Sequence, residues 1–189
     1  MPPPDPADER ALELGRLMED ALGSLHTHVR LGLGPFLRAR ESASDIVQSA
    51  VREVWKQRER LTFESEGAFR AYLFQVATRK ILEKRRYYDA ARRTSQREQR
   101  AETQSGIEAP ARPPGDVLQS EEEFALLQAA FDELDEDDRT ILSMCKVFDV
   151  PVAEAARQLG LAESTARYRL GSAAARLVAA MARRGLRPD

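Results

Sequence analysis

Cysteine is almost missing: Cys145 is the only one in 189 residues, which excludes an intrachain disulfide and a cluster of thiolate metal ligands. It lies in the apolar run ILSMCKVF, residues 141–148, a setting that reads as a buried structural thiol and not a reactive one. Histidine is nearly as scarce. His26 and His28 have no Cys, Asp or Glu at ligand spacing, so they read as helix-surface residues, and neither a metal nor a cofactor is expected. Aromatics make up 6% of the chain, and no alternating Val/Ile/Thr run is long enough for a sheet. No apolar stretch approaches a membrane span, and the start MPPPDPADE lacks the positive charge and apolar segment of a signal peptide. The expectation is an all-α, cytoplasmic protein without membrane contact.

Catalytic constellations are absent too. There is no Ser-His-Asp or Cys-His set, and GLGPF (residues 32–36) lacks the third glycine, the Lys-Ser/Thr signature and the preceding strand of a phosphate loop. Asp135, Asp137 and Asp138 lie at a helix boundary, where carboxylates serve as caps more often than as acid–base partners. The chain therefore reads as no enzyme.

What is abundant is charge, at 32% of residues, and it is segregated. Residues 1–24 carry a net −4, 25–100 a net +8, 101–150 a net −10 and 151–189 a net +4. Two basic blocks separated by an acidic one suggest two contacts with a polyanion, with the acidic block repelling it or shielding them.

Apolar periodicity divides the chain into helices and connections. Residues 1–10 read as a disordered tail, and one or two helices span about Ala11 to Leu37, interrupted by Gly32, Gly34 and Pro35. Ser42 or Ser44 is a candidate N-cap for SDIVQSAVREVWKQRE, in which Ile46, Val47, Ala50, Val51, Val54 and Trp55 form an apolar stripe. Asp45, Gln48, Ser49, Arg52, Glu53 and Lys56 face away from it. After the loop RLTFESEG, a long helix is expected from Ala68 to Arg93, its second half RKILEKRRYYDAARR dense in cations and carrying two tyrosines. Cations bind phosphates and exposed rings stack on unpaired bases, so this half suits single-stranded or melting DNA, as against a helix with core aromatics and solvated charge. Residues 94–118, rich in Pro and Gly, read as a flexible linker, and a second helical domain spans 119–183, with the basic C-terminal tail MARRGLRPD (181–189) expected to fray.

Within that second domain, VAEAARQLGLAESTARYRLGSAAARL (152–177) is a helix-turn-helix pattern: apolar Ala153, Ala156 and Leu159, a break at Gly160, then Ala166, Leu170, Ala173 and Leu177. Thr165, Arg169, Ser172 and Arg176 recur along one edge of the second helix with Arg167 beside them, offering hydroxyls and guanidinium groups to phosphates and guanine edges. A plain αα-hairpin with solvated arginines is the competing reading.

The order of these motifs resembles the extracytoplasmic-function (ECF) sigma factors of bacterial RNA polymerase, over residues 25–95 and 120–182. SDIVQSAVREVW is similar to the family's Asp-(Leu/Ile)-Val-Gln helix, and FRAYLFQVATRKILEKRR to its Phe-Arg-x-Trp-Leu-x-x-Ile-Ala helix. LDEDDRTILSMCKVFDVPVAEAARQLGLAESTARYRL resembles the terminal domain, where Leu-Pro-x-x-x-Arg precedes the helix-turn-helix. The resemblance implies two small helical domains, at 11–93 and 119–183, with the linker threading between them through the polymerase. Asp45, Gln48 and Arg52 would dock on the clamp of the largest subunit. Phe63, Tyr72, Arg79, Lys80, Lys84, Arg85, Arg86 and Tyr87 would hold the melted minus-ten element. The C-terminal domain would bind the flap of the second-largest subunit and read the minus-thirty-five element through Thr165, Arg167, Arg169, Ser172 and Arg176. Promoter DNA and core polymerase are the implied partners, with an anti-sigma protein as a further one. Departures from the family pattern are Ser49 in place of Glu, Arg79 in place of Asn, Ala162 in place of a capping Ser, and Gly171, Ser172 and Ala174 where His or basic residues are common. They suggest an unusual minus-ten preference and a weak upstream contact, and motivate the alternative of a sigma-like adaptor that binds polymerase without promoter recognition.

Overall fold

The computed structural model describes residues 6–98 and 118–186, and every regular element among them is helical. Helix α1 (Pro6–Gly32) buries Leu14, Met18, Ala21, Leu25 and Val29 at steps of three and four. A one-turn α2 (Pro35–Arg38) leads to α3 (Ala43–Lys56), which buries Ile46, Val47, Ala50 and Val54. Helix α4 (Glu66–Glu98) closes a three-helix bundle with Phe69, Leu73, Val76, Ala77 and Ile81.

The chain resumes with α5 (Leu118–Asp132) and α6 (Glu136–Leu142). Asp135 caps α6, its carboxylate accepting from the Asp138 N–H at 2.8 Å. A π-helical turn, Ser143–Val147, continues from α6, and Asp149 then reverses the chain in a left-handed conformation (φ 51°), which Asp tolerates better than most residues. Helices α7 (Val152–Leu159) and α8 (Glu163–Arg183) complete the second unit around Phe131, Leu134, Ile141, Leu142, Ala156, Ala166 and Ala173.

The two units share their cores. Met144, Phe148, Val150 and Ala155 of the second unit pack into the first cluster, and Leu31 of α1 packs into the second. Phe148 is fully buried, edge-on to His28 (5.4 Å) and Phe74 (5.8 Å). Polar contacts flank this seam: Arg30–Glu121 at 2.8 Å, Arg38–Asp132 at 2.9 Å, and Arg70 donating to the Phe148 carbonyl and to Asp149, both at 3.2 Å. Gln75 donates to Gln158 across it as well.

Four expectations are corrected. Helix α1 starts at Pro6, inside the segment expected to be a disordered tail, because proline is accepted at a first helical position whose N–H has no partner. Helix α4 runs to Glu98, five residues into the expected linker, since 94–98 hold no Pro or Gly; the remainder, 99–117, lies outside the described residues. His28 is buried instead of lying on the surface, and the tail continues as helix to Arg183 because Arg183 and Arg184 both pair with Glu133.

His28 shares a 3.1 Å hydrogen bond with Thr78, while its Nδ1 is buried without a partner. Burial pulls its imidazole from 6.5 down to about 4. The folded state thus holds His28 neutral, so its contribution to stability is complete above pH 6.5 and is lost as the pH falls toward 4. Chemical denaturation across this window should show wild type losing up to ~3 kcal/mol more than His28→Phe. Parallel pH profiles for the two proteins would contradict a buried neutral imidazole.

Candidate nucleic-acid interface

Helix α8 presents the second half of the helix-turn-helix. Gly160 ends α7 with φ 65°, a left-handed position that lets the Leu161 N–H return to the Ala156 carbonyl at 2.9 Å and turns the chain into α8. Ala162 stands at the N-cap and supplies no side-chain bond. Ala166, Ala173 and Ala180 recur every seven residues as the buried edge, which leaves Ser164 and Tyr168 exposed on the opposite side of the first turns and Thr165 and Arg167 exposed on its two flanks.

Of the five residues expected to read DNA here, Thr165 and Arg167 face outward, Arg167 pairing only with Glu163 on its own helix. Ser172 is partly covered. Arg169 bonds Asp137 at 2.7 Å, and Arg176 straddles Asp138 with contacts of 2.5 and 2.9 Å. Asp138 is 2% exposed, so Arg176 neutralises a buried carboxylate and ties α8 to the start of α6. Sequence reasoning passes over Tyr168, which is 79% exposed. The available signal is an aromatic three residues after Thr165, the one ring in α8.

A second surface lies along α4 and the loop before it. Phe63, from that loop, packs on Phe69 (5.2 Å) and Tyr72 (5.4 Å), bringing two of the expected base-contacting rings together. Tyr72, Arg79 and Arg86 recur every seven residues on one face of α4. Arg79 and Lys80 both pair with Glu53 of α3, Lys80 at 2.5 Å, and that lysine holds the Glu53 carboxyl below the usual carboxylate range. Burial, then the same Glu53, pushes the Tyr72 phenol up. Lys84 and Tyr88 converge on Glu41 at 2.9 and 2.8 Å. Arg85 points toward the seam between the units, about a quarter-turn from Arg86, and Tyr87 is exposed against Tyr88 at 5.2 Å. The expected set therefore divides into a ring pair at Phe63–Tyr72, a paired cluster at Arg79–Lys80–Lys84, and outward groups at Arg86 and Tyr87.

A third face belongs to α3. Asp45, Gln48 and Arg52 are all exposed at steps of three and four, and the next step is Trp55, 43% exposed with the Arg58 guanidinium 5.6 Å from its ring. The expectation that Trp55 belongs to the core stripe is corrected: Val54 takes the buried position and Trp55 joins the polar face.

Among the described residues no group of three or more His, Cys, Asp or Glu could hold a metal, and no helix is long and apolar enough to cross a membrane. Cys145 is half-buried, and burial pushes its thiol above the ordinary value.

Comparison with known proteins places the chain in a family. The Sigma-70 region 2 family model matches residues 27–96, and the Sigma-70 region 4 family model matches residues 124–177. No curated protein matches the chain. CnrH, solved with the cytosolic domain of CnrY, shares 20% identity and a TM-score of 0.58, covering 92% of each chain. The sigma factor RpoE of Bartonella quintana, solved with the anti-sigma factor NepR, shares 18% identity and a TM-score of 0.52, over 89% of this chain and 96% of that one. These two structures share the fold, while the two family models cover about two thirds of the sequence. The chain belongs to the sigma-70 family, as an ECF-type sigma factor built of regions 2 and 4.

Proposed function

We propose that the chain brings core RNA polymerase to promoters through three separate faces. The observation that carries this reading is that regions 2 and 4 occur in order on one chain, each with its own outward aromatic and cationic group. On α3, Asp45, Gln48, Arg52 and Trp55 form the docking face for the largest subunit's clamp. An exposed tryptophan ringed by polar groups is the kind of anchor that dominates a protein interface. On α4 and the loop before it, Phe63 and Tyr72 receive an unstacked base of the minus-ten element while Arg79 and Arg86 follow its backbone. Flipping a base out costs a few kcal/mol, and ring stacking returns ~1–3 kcal/mol per base.

The start of α8 enters the major groove at the minus-thirty-five element, with Thr165, Arg167 and Tyr168 toward the bases. Ring and methyl contacts suit thymine, and a guanidinium suits guanine. The remainder of region 4 meets the polymerase flap. The chain itself makes and breaks no covalent bond, and it acts in the cytoplasm, where polymerase and chromosome are. An anti-sigma protein is a further partner, as the B. quintana relative was captured with one.

One observation favours the adaptor reading: Arg169 and Arg176 are already committed to Asp137 and Asp138. In vitro transcription with core polymerase on a promoter library separates the two. Specific start sites support the initiation factor, whereas retention of core polymerase without any start sites supports the adaptor.

Single substitutions separate the three faces. Trp55→Ala should weaken core binding by about tenfold or more, measured by fluorescence titration, and Tyr72→Ala should slow open-complex formation with core affinity unchanged; the reverse pattern would exchange the roles of these faces. Asp137→Asn should release Arg169 toward DNA, raising upstream-element affinity and steepening its salt dependence by about one phosphate contact. An unchanged salt slope would mean that Arg169 does not reach the backbone.

A further inference from the structure

A cleft of about 260 Å³ lies between α4 on one side and α5 and α6 on the other, with the end of α1 at its back. That is close to the lower end of the ~300–1,000 Å³ usual for pockets that hold small molecules. Phe74 and Ile81 of α4 and Phe131 of α5 give it apolar walls, and the guanidinium groups of Arg85 and Arg139 enter it from opposite sides. Arg85 is exposed at the rim, whereas Arg139 is half-buried.

The charges on this lining do not cancel. Besides the two arginines it carries Asp132 and Glu136, and Asp132 is already answered by Arg38 at 2.9 Å. Among the described residues neither Arg85 nor Arg139 has a carboxylate partner, Arg139 reaching only the Asp132 carbonyl at 3.4 Å. Two guanidinium groups against the one unpaired carboxylate of Glu136 leave the lining at +1, because His28 is kept neutral by burial. Low-dielectric walls concentrate the field of such an excess charge inside a cleft. His28 supplies a second mark: it is 6% exposed, belongs to the lining, and its Nδ1 has no hydrogen-bond partner. Buried polar atoms are nearly always paired, so an orphan beside a cavity is a place where a ligand atom gains a bond that the fold leaves unmade.

We propose that this cleft binds a small organic monoanion, a carboxylate carried on an apolar body. Arg85 and Arg139 receive the carboxylate, whose two oxygens match the planar fork of a guanidinium, and Phe74, Ile81 and Phe131 cover the body. A single negative charge balances the lining, whereas a dianion leaves one charge uncompensated beside Glu136. The assignment also gives Arg85 a task apart from DNA, in keeping with its direction about a quarter-turn from Arg86. It goes beyond the sigma-factor reading and does not depend on it.

Calorimetric titration of the full chain with benzoate tests the proposal, with benzyl alcohol as the uncharged probe of similar size and acetate as the charge without the body. Benzoate should bind saturably at one site and raise the melting temperature with its concentration, and the other two probes should each bind at least about tenfold more weakly. Arg85→Gln and Arg139→Gln should each weaken benzoate about tenfold, the loss of one charge-assisted hydrogen bond. Thr140→Trp, which fills the cleft from its α6 wall, should abolish binding. Circular dichroism without ligand shows which variants fold, and the two arginine substitutions carry the test if Thr140→Trp does not. Absence of saturable benzoate binding would overturn the site. Benzyl alcohol binding as tightly as benzoate would reduce the cleft to an apolar hole, and benzoate affinity unchanged in both arginine variants would put the anion elsewhere; either result overturns the proposal.

Discussion

Phe148 is the side chain on which the arrangement of the two regions depends. It belongs by sequence to region 4 and by burial to region 2, where it lies edge-on to His28 and Phe74. Covering one such ring is worth ~1.5–3 kcal/mol, comparable to a sizeable share of a small domain's net stability. The backbone is shaped to deliver it. The π-helical turn at Ser143–Val147 carries an extra residue per turn and so rotates the residues after it by about 100° relative to a continuing α-helix. Its last bond returns the Phe148 N–H to the Ser143 carbonyl at 3.0 Å, and Asp149 then reverses direction so that the Val150 N–H reaches Met144 at 2.9 Å. Arg70 closes the site from α4 by donating to the Phe148 carbonyl. A helix end, a turn and a cation from the other region thus combine to hold one ring.

The second constraint is electrostatic. Cations that the sequence offers to DNA are largely answered by carboxylates nearby: Arg79 and Lys80 by Glu53, Lys84 by Glu41, Arg169 by Asp137, Arg176 by Asp138. A phosphate must displace these partners before it gains the charge, so the net return per contact is smaller than a count of arginines implies. Exposed pairs such as Arg169–Asp137 are worth little and yield readily, whereas Asp138 is buried and cannot release Arg176 without stranding its own charge. Two arginines at similar helical positions therefore have different availabilities. The difference is set by where their acidic neighbours are buried.

Much of the fold is legible from apolar spacing, because a 3.6-residue period reports which face of each helix is covered. The steps Leu14–Met18–Ala21–Leu25–Val29 and Ile46–Ala50–Val54 read directly as buried edges. Period does not report what does the covering. His28 sits one residue before Val29, at the margin of the α1 stripe, and it is packed by Phe74 and Thr78 of α4 and by Phe148 from more than a hundred residues away. Trp55 shows the reverse: its hydrophobicity suggests burial, yet it falls beyond the edge of the α3 stripe and Val54 fills the core. The π-helical turn leaves no sequence signal at all, since ILSMCKVF is equally compatible with an uninterrupted α-helix. At the site, charge type is visible but pairing is not, because Glu53, Asp137 and Asp138 are distant in sequence from the cations they hold.

These features together bear on why region 4 functions with so few free cations on α8. A freely diffusing helix-turn-helix that offers Ser164, Thr165, Arg167 and Tyr168 at the start of α8 lacks the six to ten phosphate contacts on which tight independent binding rests. Region 4 does not diffuse freely. If α3 docks on polymerase as proposed, the chain connection through residues 99–117 would hold α8 near the upstream duplex at an effective concentration on the order of 1 mM. At that concentration a contact with a dissociation constant of ~0.1 mM is already about nine-tenths occupied. Few free cations then become an advantage, since non-specific affinity rises with every phosphate contact and is spread over the whole genome. On the proposed reading, pairing Arg169 and Arg176 with aspartates would limit unproductive binding by the isolated region and let a docked region 2 decide where region 4 is used.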